Sequence, residues 1–150
     1  MTASTPPPAN RPRLVDVAFW CFIAGAVVMI VGGLLAATAS YEAARAAIPA
    51  SVGDDQVRSY LTLYRGLGVG AVVVAGALAF LGGRARRGDA RFRLATLGLA
   101  FATVVVVGLF ALGVGVAQPL ILLSLLPILV GAALFTRPAA RAWYDREDLA

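Results

Sequence analysis

Few residues in this chain are of a type that catalyses reactions or binds metal ions. The sequence has no His and no Lys, and its one cysteine, Cys21, lies within a long apolar stretch. Transition-metal sites draw on clusters of His, Cys and carboxylates, and a serine nucleophile needs a base, usually His or Lys. We therefore expect no catalytic residue, no metal site and no cofactor, and we expect Ser124 to hydrogen-bond within or between helices.

The carboxylates lie at the ends of apolar stretches, whereas ion-coupled transporters usually carry an ionisable residue deep in the bilayer. Asp16, three residues after Arg13, is the nearest to an apolar stretch. We expect a carboxylate at a helix start, stabilised by free N–H groups and by Arg13; a functional ion site is the alternative. Small multidrug exporters depend on a glutamate in their first helix, and no such residue occurs here.

Four apolar stretches are the elements that must position these residues. Of the 150 residues 60% are hydrophobic, and the mean hydropathy is +0.84, beyond the usual range of a soluble domain. A helix of about 20 apolar residues crosses a bilayer core. The predicted fold class is therefore all-α, a polytopic membrane protein with four transmembrane helices in an up-down bundle. The predicted spans are residues 14–38, 60–82, 94–116 and 120–135, together a transmembrane domain over residues 14–136.

The first stretch has a signal peptide as its alternative, but its length and the spans that follow favour a retained helix. The uncharged run at residues 94–136 is long enough for two crossings, and Gln118-Pro119 predicts the turn between them. Pro127 lies inside the last span, where it would remove a backbone hydrogen bond and kink the helix.

Arginine placement predicts the orientation. Ten of the 13 arginines precede span one, lie between spans two and three, or follow span four. Arginine-rich short loops remain cytoplasmic, so we expect a multi-pass protein of a bacterial plasma membrane with both termini in the cytoplasm. At the net charge of +5, nucleic-acid binding is the less favoured explanation. Anionic lipid headgroups are the expected contacts of the middle loop, through Arg84, Arg86, Arg87, Arg91 and Arg93.

The outer segment at residues 39–59 is expected to contain an alanine-rich helix ended by Pro49 and a second helix that begins at Asp54 and Asp55 and continues into span two. It is expected to cover the bundle; a ligand-binding cap is the alternative. Arg65, one turn inside span two, is expected to extend toward the headgroups. Tyr60 and Tyr64, spaced i and i+4, are expected to lie together in the aromatic belt.

The two ends are expected to lie outside the membrane. Residues 1–13, with three consecutive prolines, predict a disordered cytoplasmic tail, and a docking peptide is the alternative. Residues 137–150 predict an interfacial tail in which Pro138 begins a short surface helix. Trp143 and Tyr144 are expected to anchor that tail at the inner interface.

Small residues recur at helical spacing and predict helix packing, because small faces let helix backbones approach closely in lipid. A face that the bundle does not use would remain for a protein partner or a second copy. The predicted packing residues are Gly68, Ala71, Ala75 and Ala79 in span two, and Gly108, Ala111 and Gly115 in span three; a similar stripe in span one comprises Cys21, Gly25, Gly32 and Ala36.

Two segments resemble a group of small four-helix integral membrane proteins of actinobacteria. One is RPRLVDVAFW at residues 11–20, where arginine, proline, aspartate and aromatic residues enter span one. The other is RPAARAWY at residues 137–144, where a proline and small residues precede an aromatic pair. The resemblance implies the four-helix layout with anchored ends, and it implies no particular activity.

Together these observations favour a non-enzymatic membrane protein, an accessory or scaffold subunit of a larger inner-membrane assembly. The alternative is a small carrier or a lipid- or solute-binding protein with a cavity between its helices; an enzyme acting on lipids is less favoured. A carrier predicts a cavity lined by several polar groups, whereas a scaffold predicts tight packing and an exposed face of small residues. Expected partners are membrane lipids, preferentially anionic on the cytoplasmic side, and a protein or a second copy.

Overall fold

The computed structural model describes residues 12–115 and 118–147, and over those residues every regular element is a helix. The all-α class is confirmed. The helices are α1 (Arg13–Ala37), α2 (Tyr41–Ala47), α3 (Asp54–Ala85), α4 (Ala90–Leu109), α5 (Pro119–Phe135) and α6 (Pro138–Glu147). The predicted N-terminal tail lies outside the described residues, apart from Pro12 and Arg13, where α1 begins.

Three helices are long and apolar enough to cross a membrane, namely α1, α3 and α4 together with the turn that follows it. Helix α5, with 17 residues, is about 26 Å long, slightly less than a bilayer core of about 30 Å. It forms a fourth candidate only when taken with α6, from which it is bent by 60°. The described residues therefore contain three to four candidate spans, which is compatible with insertion in a membrane.

Side-chain caps mark where α2, α4 and α5 begin, through Ser40, Asp89 and Gln118. Gln118 Oε1 accepts a hydrogen bond from the Ile121 N–H at 2.7 Å, and Pro119 occupies the first turn of α5, so the predicted turn at Gln118-Pro119 is confirmed. Ser40 Oγ accepts from the Ala43 N–H at 3.2 Å at the start of α2.

Helix α3 extends well beyond the predicted second span. It has 32 residues, a length of about 48 Å, against about 30 Å for the bilayer core. It begins at Asp54 and continues without a break to Ala85, so the predicted continuity of the second outer helix with span two is confirmed. Asp54 and Asp55 place negative charge at its first turn, where free N–H groups favour it.

Span three ends earlier than predicted. The α-helix stops at Leu109, a π-helical turn covers Phe110–Val114, and Gly115 adopts a left-handed conformation with φ of 68°. Glycine takes that conformation at no steric cost. Hydropathy could not locate this end, because the residues on both sides of it are equally apolar.

Helix α1 lies between α3 and α5 and forms the centre of the molecule. Its buried residues include Phe22 and Met29, both 0% exposed. Helix α5 runs antiparallel to α1, since Gly131 lies against Ala18 at one end and Gln118 lies against Gly32 at the other. Helix α4 is more peripheral and buries four residues, Thr96, Ala100, Thr103 and Val107.

The predicted kink residue Pro127 lies within α5, and a separate bend follows that helix. Helix α5 continues through Pro127 to Phe135, and the 60° bend lies at its junction with α6. Ser124 donates to the Ile121 carbonyl of its own helix at 2.6 Å, as expected for a serine within a span.

Candidate functional surfaces

Helices α1 and α3 approach each other closely at two glycines. A Cβ added to Gly68 would lie 2.5 Å from the Gly33 carbonyl oxygen and 2.6 Å from the Ala37 backbone nitrogen, so the two backbones are in direct contact. Ala71 and Ala75, on the same face of α3, are also buried. The predicted packing residues of α3 therefore lie in this interface, and Ala79 packs beside the core.

The stripe expected in span three is not formed. Apart from neighbouring residues and the backbone of the same helix, no atom of the described residues lies within 4 Å of a Cβ built at Gly108 or Gly115. Gly115 lies beyond the helix, and Ala111 lies in the π-helical turn, so the three positions do not share one α-helical face. The buried face of α4 instead carries Thr96, Ala100, Thr103 and Val107.

Asp16 pairs across the bundle. Its Oδ1 accepts a hydrogen bond from Arg86 Nε at 2.7 Å, and the Arg86 guanidinium carbon lies 4.9 Å from the centre of the Phe19 ring. This ion pair joins α1 to the residue that follows α3, a partner that the sequence did not suggest. Both side chains are about a third exposed, at 35% and 37%.

The aromatic pair of α6, Trp143 and Tyr144, is buried against one end of the helix bundle. Tyr144 is fully buried, and its hydroxyl donates to the Ala85 carbonyl at the end of α3 at 2.8 Å. The Arg93 guanidinium carbon lies 5.0 Å from the centre of the Tyr144 ring. Trp143 is only 4% exposed. The expectation that these rings anchor the protein from the interface is wrong, because α6 folds back and packs its aromatic face against the helix ends.

The five arginines predicted to bind lipid headgroups therefore divide into two groups. Arg86 and Arg93 contact other residues of the bundle, as described above. The other three are exposed. Among these, Arg84 covers the rings of Phe80 and Phe92, with its guanidinium carbon 5.7 and 5.6 Å from their centres.

At the opposite end, a polar cluster holds α2 against the start of α3. Arg45 Nη1 donates to the Val52 carbonyl at 2.8 Å, and Arg45 Nη2 donates to the Pro49 carbonyl at 2.9 Å. The Tyr41 hydroxyl donates to Asp54 Oδ1 at 2.9 Å. This hydrogen bond, with smaller contributions from desolvation and from the Asp54 charge, raises the pKa of Tyr41 above its ordinary value.

Arg65 connects the same end of α3 to the segment after α1. Its Nε and Nη2 donate to the Ala39 carbonyl at 2.9 and 2.6 Å. Tyr60 and Tyr64 stack with ring centres 5.9 Å apart, so the predicted pair is confirmed. The side chain of Arg65, which was expected to extend toward the headgroups, thus binds a backbone carbonyl of the protein.

A groove of about 420 Å³ separates the N-terminal half of α3 from the C-terminal half of α4. Met29 of α1 also lines it. Gly66 and Gly70 open its α3 wall, since nothing lies within 4 Å of a Cβ built at either glycine. Its two threonine hydroxyls are occupied: Thr62 donates to the Arg58 carbonyl at 2.9 Å, and Thr103 donates to the Leu99 carbonyl at 2.7 Å. We call this the α3–α4 groove.

A second pocket of about 900 Å³ adjoins that groove farther out along α3. The two share Leu63. Here α3 contributes polar residues, and α2 contributes the opposite, mostly apolar wall. We call it the outer pocket; its polar lining residues are Asp55, Gln56, Ser59 and Tyr60.

Comparison with protein-family models, with curated proteins and with solved structures gives no match for this chain. Within the described part of the chain, His, Cys, Asp and Glu form no group of three that could hold a metal ion. The surfaces that remain as functional candidates are the exposed glycine positions Gly76 of α3 and Gly98 of α4, the exposed arginines, and the α3–α4 groove with its outer pocket.

Sequence reasoning missed Gly33 and the buried position of Tyr144. The stripe expected in span one contained Gly32 rather than Gly33, although the two are adjacent. Two adjacent glycines in a sequence show that another helix can pack closely there, but they do not show on which of the two neighbouring faces. The position of the packing helix decides which glycine lies in the contact.

Proposed function

We propose that this protein is a non-enzymatic integral membrane protein that serves as an accessory or scaffold subunit of a larger assembly in a bacterial plasma membrane. The observation that carries the proposal is that Gly76 of α3 and Gly98 of α4 lie on exposed faces, with no described atom within 4 Å of a Cβ at either. In lipid, such faces let a further helix approach closely.

In the proposed arrangement the chain crosses the membrane four times and has both termini in the cytoplasm. Support for the fourth crossing comes from α5, which lies along α1 from Ala18 to Gly32 and so occupies the same layer. Support for the orientation comes from Arg84, Arg87 and Arg91, which are exposed where α3 joins α4. We further propose that these three arginines contact anionic headgroups.

Composition supports a non-enzymatic role. The whole sequence lacks His and Lys, the residues that most often serve as bases in hydrolytic sites. The helices also leave little extramembrane mass, since α2 is the one outer helix separate from the candidate spans among the described residues.

A carrier of polar solutes is less well supported. Such a protein needs several convergent polar groups within its cavity. The α3–α4 groove is lined by apolar residues, glycines and two threonines, Thr62 and Thr103, whose hydroxyls already bind their own helices.

The test is purification of the tagged protein from its native membrane in a gentle detergent, with native mass spectrometry of the intact complex. We expect a stoichiometric protein partner that is lost in the variants Gly76→Leu and Gly98→Leu. Gly70→Leu is the matched control, because Gly70 is equally open but lies about 120° around α3 from Gly76. A lone monomer, or partner binding unaffected by both variants, would contradict the proposal.

A further inference from the structure

The α3–α4 groove has the dimensions of a site for one hydrocarbon chain. Its α3 wall extends from Thr62 to Val74, a rise of about 18 Å, close to one leaflet of a bilayer core that is about 30 Å thick in total. Dividing its volume of about 420 Å³ by that rise leaves a cross-section of about 23 Å². A helix 10 Å in diameter covers about 80 Å², so the groove accommodates an acyl chain and is too narrow to enclose a helix.

The chemistry of the groove agrees with that occupant. Leu67, Val74 and Val106 contribute apolar side chains, and Gly66 and Gly70 leave room for the chain. Because each threonine hydroxyl donates its hydrogen to its own helix, neither can donate to a ligand, and the groove offers chiefly dispersion and hydrophobic contact.

The outer pocket supplies a place for a headgroup. It meets the groove at Leu63 and lies along the first two turns of α3, which stand beyond the apolar part of that helix. Asp55 carries the only charge among the described residues that line it, and Gln56, Ser59 and Tyr60 add hydrogen-bonding groups. A carboxylate in this position complements an ammonium group.

We propose that the α3–α4 groove and the outer pocket together bind one outer-leaflet lipid with an ammonium-bearing headgroup, its acyl chain along Gly66 and Gly70 and its ammonium group at Asp55. This site goes beyond the accessory-subunit function. It relies on the proposed placement of α3 in the membrane, and it needs no protein partner.

The experiment is native mass spectrometry of the full-length protein after equilibration with vesicles that contain equal amounts of phosphatidylethanolamine and phosphatidylglycerol. The wild type is expected to retain one phosphatidylethanolamine with a preference of about tenfold, the factor of one charge-assisted contact. Gly70→Leu fills the groove and is expected to abolish retention. Gly76→Leu, open to the same degree on another face, is expected to leave retention unchanged.

Asp55→Asn separates the two parts of the site. It is expected to remove the headgroup preference while one lipid is still retained, because the groove is untouched. Equal helix content and melting temperature in Gly70→Leu and wild type would show that the fold survives the substitution. Retention of the lipid by Gly70→Leu would overturn the proposal, and so would a wild-type homodimer that Gly70→Leu dissociates, since a second copy would then occupy the groove. Loss of a protein partner in Gly76→Leu alone would leave the lipid site standing.

Discussion

The arginines of this protein have different roles, which depend on the residues that lie beside each of them. Arg86 pairs with Asp16, Arg65 binds the Ala39 carbonyl, and Arg45 closes the turn after α2. Arg87, one residue after Arg86, is exposed. An arginine in a juxtamembrane loop can therefore stabilise the bundle or face the headgroups, and substitutions should separate the two roles.

Arg86→Gln and Arg87→Gln are a matched pair for that purpose. Arg86→Gln is expected to lower the free energy of unfolding by about 1 kcal/mol, because its ion pair is partly exposed and so only modestly stabilising. Arg87→Gln is expected to leave unfolding unchanged and to reduce retention of anionic lipid. Denaturant unfolding in detergent, together with lipid analysis of the purified protein, measures both. Equal loss of stability in the two variants would contradict the assignment.

Tyr41 offers a prediction for pH dependence. Its hydrogen bond to Asp54 raises the pKa of the phenol, so the neutral form is the one that the fold stabilises. That contribution to stability is fully present below the ordinary tyrosine pKa of about 10 and is lost as the pH rises through the raised value.

The titration is followed by tyrosinate absorbance, and subtraction of the Tyr41→Phe variant isolates the Tyr41 signal. Asp54→Ala is expected to lower the midpoint toward the ordinary value, because it removes the acceptor and the negative charge together. An unchanged midpoint would mean that the hydrogen bond is not made in solution.

At the scale of helices, the arrangement depends on α1, which touches α3 and α5 through glycines. Gly33 and Gly68 bring the α1 and α3 backbones together, and Gly25 lies where a Cβ would be 3.1 Å from the Ser124 carbonyl oxygen. In lipid, association relies on such close packing more than on the hydrophobic effect. Helix α4 has no comparable contact, which is why a groove remains beside it.

Gly68→Ala should force α1 and α3 apart. We expect a loss of about 1–3 kcal/mol in the free energy of unfolding, the usual cost of overpacking. Gly76→Ala on the same helix meets nothing within 4 Å and is expected to be neutral or to gain about 0.5–1 kcal/mol from helix propensity. Unfolding in mixed detergent micelles compares the two, and the same response from both would show that the Gly33–Gly68 contact contributes little.

At the scale of the whole molecule, the two ends differ in construction. One end is closed by α6, whose Tyr144 binds the Ala85 carbonyl, and it carries the exposed Arg84, Arg87 and Arg91. The other end is covered by α2 and opens into the outer pocket. The proposed orientation places the α6 end in the cytoplasm.

Single cysteines test that orientation in a Cys21→Ala background. Ser51→Cys lies in the exposed segment after α2, and Ala139→Cys lies on the exposed side of α6. In intact cells, a membrane-impermeant thiol reagent is expected to label Ser51→Cys and to label Ala139→Cys only after lysis. Labelling of both positions in intact cells, or the reverse pattern, would refute the four-span arrangement with cytoplasmic termini.

The sequence by itself determined the features that depend on neighbouring residues. The all-helical class, the stop before Pro49, the start of α5 at Gln118-Pro119 and the stacked pair of Tyr60 and Tyr64 all follow from apolar runs, capping and helical spacing. These are local properties, because helix hydrogen bonds and side-chain spacing operate within a few residues.

Only the tertiary structure decided which surfaces meet. The pairing of Asp16 with Arg86, the burial of Tyr144 beneath α3 and the contact of Gly33 with Gly68 join residues far apart in the chain. Hydropathy could not predict them, because every face of these helices is apolar enough for lipid and no amphipathic stripe marks the packed side. The groove beside α4 appears for the same reason, since close packing through glycines selects which helices touch and leaves the others apart.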